Sequence, residues 1–596
     1  MAGGRNTGCR AGINTVKQEE NLMKRRIVSG LLCSVMLLGL LGGCGSSSQK
    51  NQASGVASTE GNASGGETLE DDLSQEVTFS YWLPAQDYKV INSMNEHPFV
   101  RYLNDKFNVT IEFQQPAIGS EADNFNLMMG TGDYADIMEM TYNTTALSTL
   151  YEDGVIIDLA PYIEKYMPNY WNIIQSNEEI RKVAYDDEGH IFKILQLEDP
   201  ERNQWGGLVY RRDILETMTG GNVQFPSGND EPTTVEDWDY MLPLFKQYFE
   251  AAGMPDYACL IIPAIGYTAT GEIQNGWGAT GTFGLDTDLK TVQYGPATDY
   301  FYNYVEKMNE WYEEGYIYKD FASRTNDLFY MPNTSLTYGG AAGAWFGILQ
   351  QVGDYMNVSG DGYSLEFDVR AATGPLDTEH GVKPEMAGTH VAIENVASYR
   401  CISSGCSEEK LARILTVMDY LYSEEGDLLA SRGLKAEQAA NDPVYQQLGM
   451  EDGVWWENED GTWSKNPNFI EKAGDYAEAL QGFRISCGTG KHYEGAENDR
   501  TSHSDDEDAA ADVWVSYPND RAWLSAYELN AEENAVYAKY YTGINDYVNT
   551  MIPKFIMGTE ELTPESWDSY KQQLESLGLN ELIAAYQSAY DRYLAK

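Results

Sequence analysis

The sequence predicts an α/β fold spread over more than one lobe, with helices that lengthen towards the carboxyl end. Three observations carry this expectation. Val77-Thr78-Phe79-Ser80-Tyr81-Trp82 and Val109-Thr110-Ile111-Glu112-Phe113 read as strands, the second with clear alternation, and a helix-like stretch separates them. The span from Val77 to Lys596 is about 520 residues, more than one hydrophobic core usually supports. Aromatic and aliphatic residues at helical spacing then dominate the second half.

The elements follow in order. Phe125-Asn126-Leu127-Met128-Met129 reads as a helix stopped at Gly130, leading through Asp133 to the apolar Ile137-Met138, so helix and strand take turns and a mainly parallel sheet is expected. Phe301, Tyr304, Val305, Met308, Trp311 and Tyr312 keep helical spacing until Gly315. A helix after Ser407 uses Leu411, Ile414, Leu415, Met418, Leu421 and Tyr422, with Gly426 as its expected stop. Thr563 caps a helix with Pro564 in its first turn and Gly578 beyond its end, and Leu582 to Leu594 forms the last helix. No fixed-period repeat points to a solenoid or propeller.

Ahead of this body, Met23 is followed by Lys24, Arg25, Arg26 and a largely apolar run from Ile27 to Leu41, too short for a membrane span and read as a secretory signal. Leu41-Gly42-Gly43-Cys44 resembles the bacterial lipobox, which implies cleavage before Cys44 and acylation of its thiol. Residues 1–22 carry no comparable pattern, and Met23 is the expected initiator. Residues 44–75 then read as the lipidated cysteine and a flexible Ser/Gly-rich leash, which places the body at the outer face of the cell membrane.

The formal net charge is −52; removing residues 1–43 takes away six Lys/Arg and two Asp/Glu, leaving 34 against 90, or −56. That balance disfavours nucleic acid and polyanionic glycans as ligands. Of the body's cysteines, Cys259, Cys401, Cys406 and Cys487 are too few for a disulfide framework. Cys401 and Cys406 either close a short loop or remain free thiols, and their lone Cys-x4-Cys spacing is a poor zinc signal.

Several segments, taken in order, resemble family 1 extracellular solute-binding proteins of sugar-type ABC importers, the maltose-binding-protein-like group. They are Phe125 to Ile137 with its Gly-Thr-Gly-Asp133, Asp158-Leu-Ala-Pro-Tyr-Ile163, Pro168-Asn-Tyr170, Leu208-Val-Tyr-Arg-Arg-Asp213 and Trp238. Farther on come Trp311-Tyr-Glu-Glu-Gly-Tyr-Ile317, Gly339-Gly-Ala-Ala-Gly-Ala-Trp345, and Lys554-Phe-Ile-Met-Gly558 with Ala589-Tyr-Asp-Arg-Tyr593. The resemblance spans most of residues 76–596. It implies two lobes of the class II periplasmic-binding type closing over a ligand in the cleft between them, with a helix-rich second lobe. By analogy the first lobe takes residues 76–197 and about 390–432, and the second takes about 198–389 and 433–596. The acidic stretch 452–512 matches no family motif.

The resemblance further implies a binding protein without catalytic residues or cofactor: a monomer that captures an oligosaccharide and passes it to the transmembrane subunits of an ABC permease. A sugar presents hydroxyls and flat C–H faces, so its cleft needs polar side chains and aromatic rings. Trp82 ends the first strand, where α/β folds place ligand loops, with Gln86 and Asp87 following; the alternative for Trp82 is a core edge. Asp133 lies at a helix-to-strand loop matching a family position near the cleft, or is a turn residue. Trp205 falls near the first crossing, and Trp277 sits between Gly276 and Gly278. Trp345 resembles the family's second-lobe stacking position and is the leading candidate.

Enzyme motifs fail on inspection. No Gly-x-Ser-x-Gly or His-Glu-x-x-His occurs, and Cys487-Gly-Thr-Gly-Lys491 lacks the first glycine and the Ser/Thr of a phosphate loop. Asp286-Thr-Asp288 and Ser504 to Asp508 lack the spacing of a calcium-binding EF-hand and read as solvated loops. Carboxylate pairs are abundant without being diagnostic, so a surface glycosidase or lyase stays open beside the binding protein. A peptide or other polar solute stays open as ligand.

Overall fold

A computed structural model describes residues 73–84, 88–197, 206–262, 273–323, 334–337, 339–353, 356–357, 364–365, 367–388, 396–458, 463–469, 476, 479–482, 485, 488, 505–517, 519–524 and 527–596. Strand β1 (Val77–Trp82) leads to helix α1 (Pro98–Phe107), which has Pro98 in its first turn and the His97 ring accepting from the Phe99 amide at 3.1 Å. Strand β2 (Val109–Gln114) runs parallel to β1, with Val77 opposite Val109. Helix α2 (Glu121–Thr131) continues through the expected stop at Gly130 and ends at Gly132, whose φ of 77° supplies the left-handed turn that Gly130 does not take.

After β3 (Ile137–Glu139) come α3 (Leu147–Glu152), α4 (Ala160–Tyr166), α5 (Pro168–Ser176) and α6 (Glu178–Ala184), then β4 (Ile194–Leu197). The following stretch carries β5 (Gly206–Arg211), α7 (Val235–Ala251), β6 (Ala258–Leu260), α8 (Asp299–Glu313), β7 (Ala342–Ile348) and β8 (Val369–Ala372). Then follow β9 (Val396–Ile402), α9 (Glu408–Tyr420), α10 (Glu424–Arg432), a hairpin of β10 (Trp455–Glu457) and β11 (Trp463–Lys465), α11 (Asp505–Trp514), α12 (Ala531–Ile556), α13 (Pro564–Ser576) and α14 (Leu579–Ala595). Thr563 caps α13 as the sequence requires, its hydroxyl accepting from the Ser566 amide. Gly426 is not the end of α9. It lies in the first turn of α10, its amide donating to Ser423 Oγ, and a Cβ there would stand 1.9 Å from the Tyr420 carbonyl oxygen, so close approach demands the glycine.

Two main sheets form. The first has the order β2-β1-β3-β9-β4 and the second β8-β5-β7-β6. In the first, β1 is parallel to β2 and β3, while β9 is antiparallel to both β3 and β4. In the second, β5 is antiparallel to β8 and β7, and only β6 and β7 are parallel. The sheets are therefore mixed, where a mainly parallel sheet was expected. The chain leaves the first sheet after β4 and re-enters it at β9; an exit strand and an entry strand using one edge must run in opposite directions.

Each sheet is covered on both faces. Tyr81, Ile137 and Ile402 face α1, α4, α5, α9 and α10, while Trp82, Met138 and Cys401 face α2 and α3. Leu208, Tyr210 and Ala372 face α7, α8 and the carboxyl-terminal helices, while Val209, Trp345 and Ala371 meet α11. One expected boundary moves. Leu434, Tyr445, Val454, Trp455, Phe469, Leu480 and Ile485 all join the first core, so the chain stays with the first sheet well past Gly433. The acidic segment is thus divided, its first part packed on the first core and α11 on the second sheet. Cys259, Cys401 and Cys406 are free thiols, so Cys401 and Cys406 are not bridged.

Two predictions follow from the packing. Trp345 is fully buried on β7 with its indole donating to Gln351 Oε1 at 3.1 Å, so Trp345→Ala should lower the unfolding midpoint by the equivalent of about 3–5 kcal/mol in denaturant titrations. Asp419 accepts from the Tyr170 amide at 3.0 Å and Asn169 Nδ2 at 2.8 Å, closing the amino end of α5. Burial nevertheless pushes its carboxyl up to about 6. The unfolded value is lower, roughly 3.9, so the folded state holds an extra proton between the two values and stability falls as pH rises through that window. Asp419→Asn removes that slope: from about pH 4 to 6 the wild type should lose stability relative to the variant, and a flat difference would contradict the assignment.

Candidate functional site

In open α/β sheets, ligands lodge beyond the carboxyl ends of the strands. The carboxyl ends of β1, β3 and β4 and the amino end of β9 share one edge of the first sheet, the edge through which the chain passes between the sheets. A polar group stands there. Arg400 is 2% exposed; its Nε donates to the Tyr81 hydroxyl at 2.9 Å and its Nη1 to Gln196 Oε1 at 2.8 Å and Ser398 Oγ at 3.0 Å. These four residues come from the ends of three strands, which fixes a charged donor, an amide and two hydroxyls in register.

Beside it, the turn after β3 is built by side chains. Asn143 bridges to both the amide and the carbonyl of Thr145, and Glu139 accepts from the Thr141 hydroxyl at 2.5 Å. Tyr142 stands edge-on to Trp82, its phenol held above the usual range by burial and by Glu121 and Glu139. On the sheet's other face the two bodies meet at charged contacts. Lys193, 4% exposed, pairs with Glu528 at 2.5 Å, donates to the Val183 carbonyl and lies 5.5 Å from the Tyr399 ring centre. Burial, then the Glu528 charge, holds the Tyr399 phenol well up.

The end of α14 adds further bonds to the first lobe. Arg592 pairs with Asp187 at 2.6 Å and Lys596 with the same carboxylate at 3.1 Å; burial alone would raise that carboxyl, but the two cations hold it below its usual range. Tyr593 donates to Glu179. A cavity of about 210 Å³ lies in this seam, lined by Leu147, Phe192, Lys193, Glu528 and Tyr593 among others.

The structure relocates the tryptophans singled out in the sequence. Trp82 is core: its indole donates to Asn124 Oδ1 at 2.8 Å and its ring meets Phe125 edge-on. Trp277 is 2% exposed and lies against Tyr304 and Trp311 of α8. Trp345 is core as well, so none of the three offers a ring face to a ligand in this arrangement. Their glycine neighbours mark close packing instead of open loops: a Cβ on Gly276 would fall 2.1 Å from the Pro375 carbonyl oxygen, and one on Gly343 2.4 Å from the Phe245 ring. Asp133 is exposed on the turn after α2. The buried carboxylate of that motif is Asp136, which accepts from the amide and hydroxyl of Ser80 and pairs with Lys410 at 3.1 Å. Asp87, Trp205 and Cys44 lie outside the described residues.

Sequence reasoning missed Arg400, Gln196, Lys193 and Glu528. The usable signal was a cation inside an apolar run, Lys193 between Phe192 and Ile194 and Arg400 before Cys401-Ile402, because a charge on a buried strand must meet a partner. Asp286 and Asp288 are spent on their own turn, accepting from the amides of Thr287, Lys290 and Thr291. Among the described residues no group of three or more His, Cys, Asp or Glu side chains is placed to hold a metal ion, and no helix is long and apolar enough to cross a membrane.

No protein-family model and no curated protein matches the sequence. Solved structures do match the fold. An extracellular solute-binding protein from Bifidobacterium longum subsp. infantis superposes with a TM-score of 0.67 at 15% identity, over 88% of this chain and 100% of that one. An HMO-binding, ABC-transporter-associated solute-binding protein from Bifidobacterium longum infantis gives 0.62 at 16% identity over 87% and 99% of the two chains. A Streptococcus pneumoniae ABC-transporter substrate-binding protein in complex with kestose gives 0.61 at 17% over 87% and 99%. At such identities the likeness is one of fold, and the chain has the two-lobed α/β fold of extracellular solute-binding proteins.

Proposed function

We propose that this chain is the solute-binding lipoprotein of an ABC importer, tethered to the outer face of the membrane through acylated Cys44, and that it captures a neutral oligosaccharide without altering it. The observation that carries the reading is the shared edge: the carboxyl ends of β1, β3 and β4 lie where the chain passes from one sheet to the other. A solute lodged there touches both lobes, and its differential affinity for the closed arrangement drives closure. Gln196 and Ser398, half-buried at this edge and held in place by the buried Arg400, offer the amide and hydroxyl groups that sugar hydroxyls need. The net charge of −52 opposes a polyanionic ligand. Of the fold neighbours, one is described as HMO-binding and another was solved with kestose. The lobes divide, on this reading, at residues 198–205, at about 389–395 and after Ile485. The permease subunits are the partner, and no cofactor takes part.

Thermal unfolding in the presence of kestose, other neutral oligosaccharides, peptides and amino acids tests the ligand class. An oligosaccharide at about 100 times its Kd should stabilise the protein by roughly 2.7 kcal/mol. Stabilisation by peptides alone would refute the sugar assignment, and new reducing ends in the same incubations would make the protein an enzyme. The anchor is tested by Cys44→Ala. The parent chain should partition with membranes and take up labelled fatty acid, and the variant should do neither; an unlabelled parent in the soluble fraction would remove the tether.

A further inference from the structure

The two sides of the seam at α14 belong to different cores. On one side, α6 and the turn after it carry Ile180, Ala184 and Ile191 into the core of the first sheet. On the other, α14 carries Leu582, Tyr586 and Tyr590 into the core of the helix-rich second body. What joins them is charge. Arg592 Nε donates to Asp187 Oδ2 at 2.6 Å, and Lys596 Nζ stands 3.1 Å from the other oxygen of that carboxylate and donates to the Tyr185 carbonyl at 3.1 Å. Tyr593 donates to Glu179, with Lys182 Nζ 5.1 Å from its ring centre.

Both partners of the Asp187 contact are held ready for it. The neighbouring Asp186 carboxylate is spent on its own turn, accepting from the amides of Glu188 and His190 at 2.9 and 2.8 Å and meeting His190 Nδ1 at 2.8 Å. The turn is thereby fixed, and the Asp187 carboxylate is left for the seam. Arg592 is steadied within its own body, its Nη1 donating to Glu533 and its Nη2 to the Glu528 carbonyl at 2.8 Å, which leaves Nε for Asp187. Apolar packing contributes little here: Leu147, Phe192, Leu529 and Ala589 line the cavity of about 210 Å³ in the same seam, so these side chains border a hollow. The Asp187 side chain is 40% exposed and those of Arg592 and Lys596 26% and 24%, so dissolved ions reach the contact. A partly exposed ion group beside a hollow is the kind of contact that salt weakens.

We propose that Asp187, Arg592 and Lys596 form an electrostatic clasp that holds the two bodies in this arrangement and that dissolved salt loosens. A contact made in one arrangement and lost in others shifts the population towards the first. The fraction of molecules ready to take a solute, and with it the apparent affinity, then varies with ionic strength even when the solute is uncharged. That consequence rests on the reading that the bodies move to take up a solute; the clasp itself is tested without one.

The test uses the full chain without ligand, in a Cys44→Ala background so that no lipid is attached. Small-angle scattering, extrapolated to zero protein concentration, compares the parent, Asp187→Lys and Glu164→Lys at about 20 mM and about 500 mM NaCl. Glu164 is exposed on α4, so its variant makes the same change of charge away from the seam. At the lower salt Asp187→Lys should show a larger radius of gyration and a broader distance distribution than the other two, and at the higher salt roughly half or more of that difference should vanish. Hydrogen–deuterium exchange in residues 185–191 should be several-fold faster in Asp187→Lys, with 77–82 unchanged. Parent-like scattering at the lower salt, with faster exchange confined to the turn, would reduce Asp187 to a local role and overturn the proposal. A difference of equal size at both salts would make the contact one of packing and overturn it equally. Should Asp187→Lys not fold, Lys596→Glu breaks the clasp from the other side and is held to the same outcomes. A failure of every oligosaccharide in the thermal panel would refute the proposed function and leave these readouts standing.

Discussion

The antiparallel pairing of β4 with β9 is the constraint on which the rest of this molecule depends. It lays the strand that leaves the first lobe beside the strand that returns to it, with Leu195 opposite Tyr399 and Ile194 opposite Arg400. Because β9 also pairs with β3, the same arrangement fixes the carboxyl ends of β1, β3 and β4 at the crossings. The mixed sheet, the polar group around Arg400 and the seam at Lys193 are consequences of that one pairing. Side chains on the crossing strands alternate, so Arg400 faces Tyr81 and Gln196 while Tyr399 faces Lys193.

Cations are scarce in this chain, 40 against 92 acidic residues, and where they are placed is informative. Lys193, Arg592 and Lys596 join the lobes, and Arg413 donates to the Phe107 and Asn108 carbonyls, holding α9 to the first lobe's α1-β2 turn. In an acidic body a cation buried at a joint works twice. It pairs with its immediate carboxylate, and it lowers the mutual repulsion of the acidic surfaces that the joint brings together.

Local features were legible in the sequence. The alternation of β1 and β2, the Thr563-Pro564 helix start and the spacing of α8 depend on neighbours a few residues away, and the structure reproduces them. What was not legible depends on distant partners. Gly130 and Gly426 look like helix stops, but one is carried through its helix and the other lets a backbone approach Tyr420. Trp277 and Trp345 look stranded among glycines until α8 and the second sheet's far face supply their packing. Arg400 and Gln196 are about 200 residues apart, so only the topology joins them.

The length of that detour also orders events in time. The first sheet cannot close until β9 arrives, and β9 is separated from its neighbour β4 by about 200 residues, which include the second sheet. Until roughly two thirds of the chain has been made, β3 and β4 are left without the strand that lies between them. A nascent chain so arranged stays open for most of its synthesis. For any chain that must be threaded through a membrane such lateness is an asset, since a chain that has not yet folded can still pass.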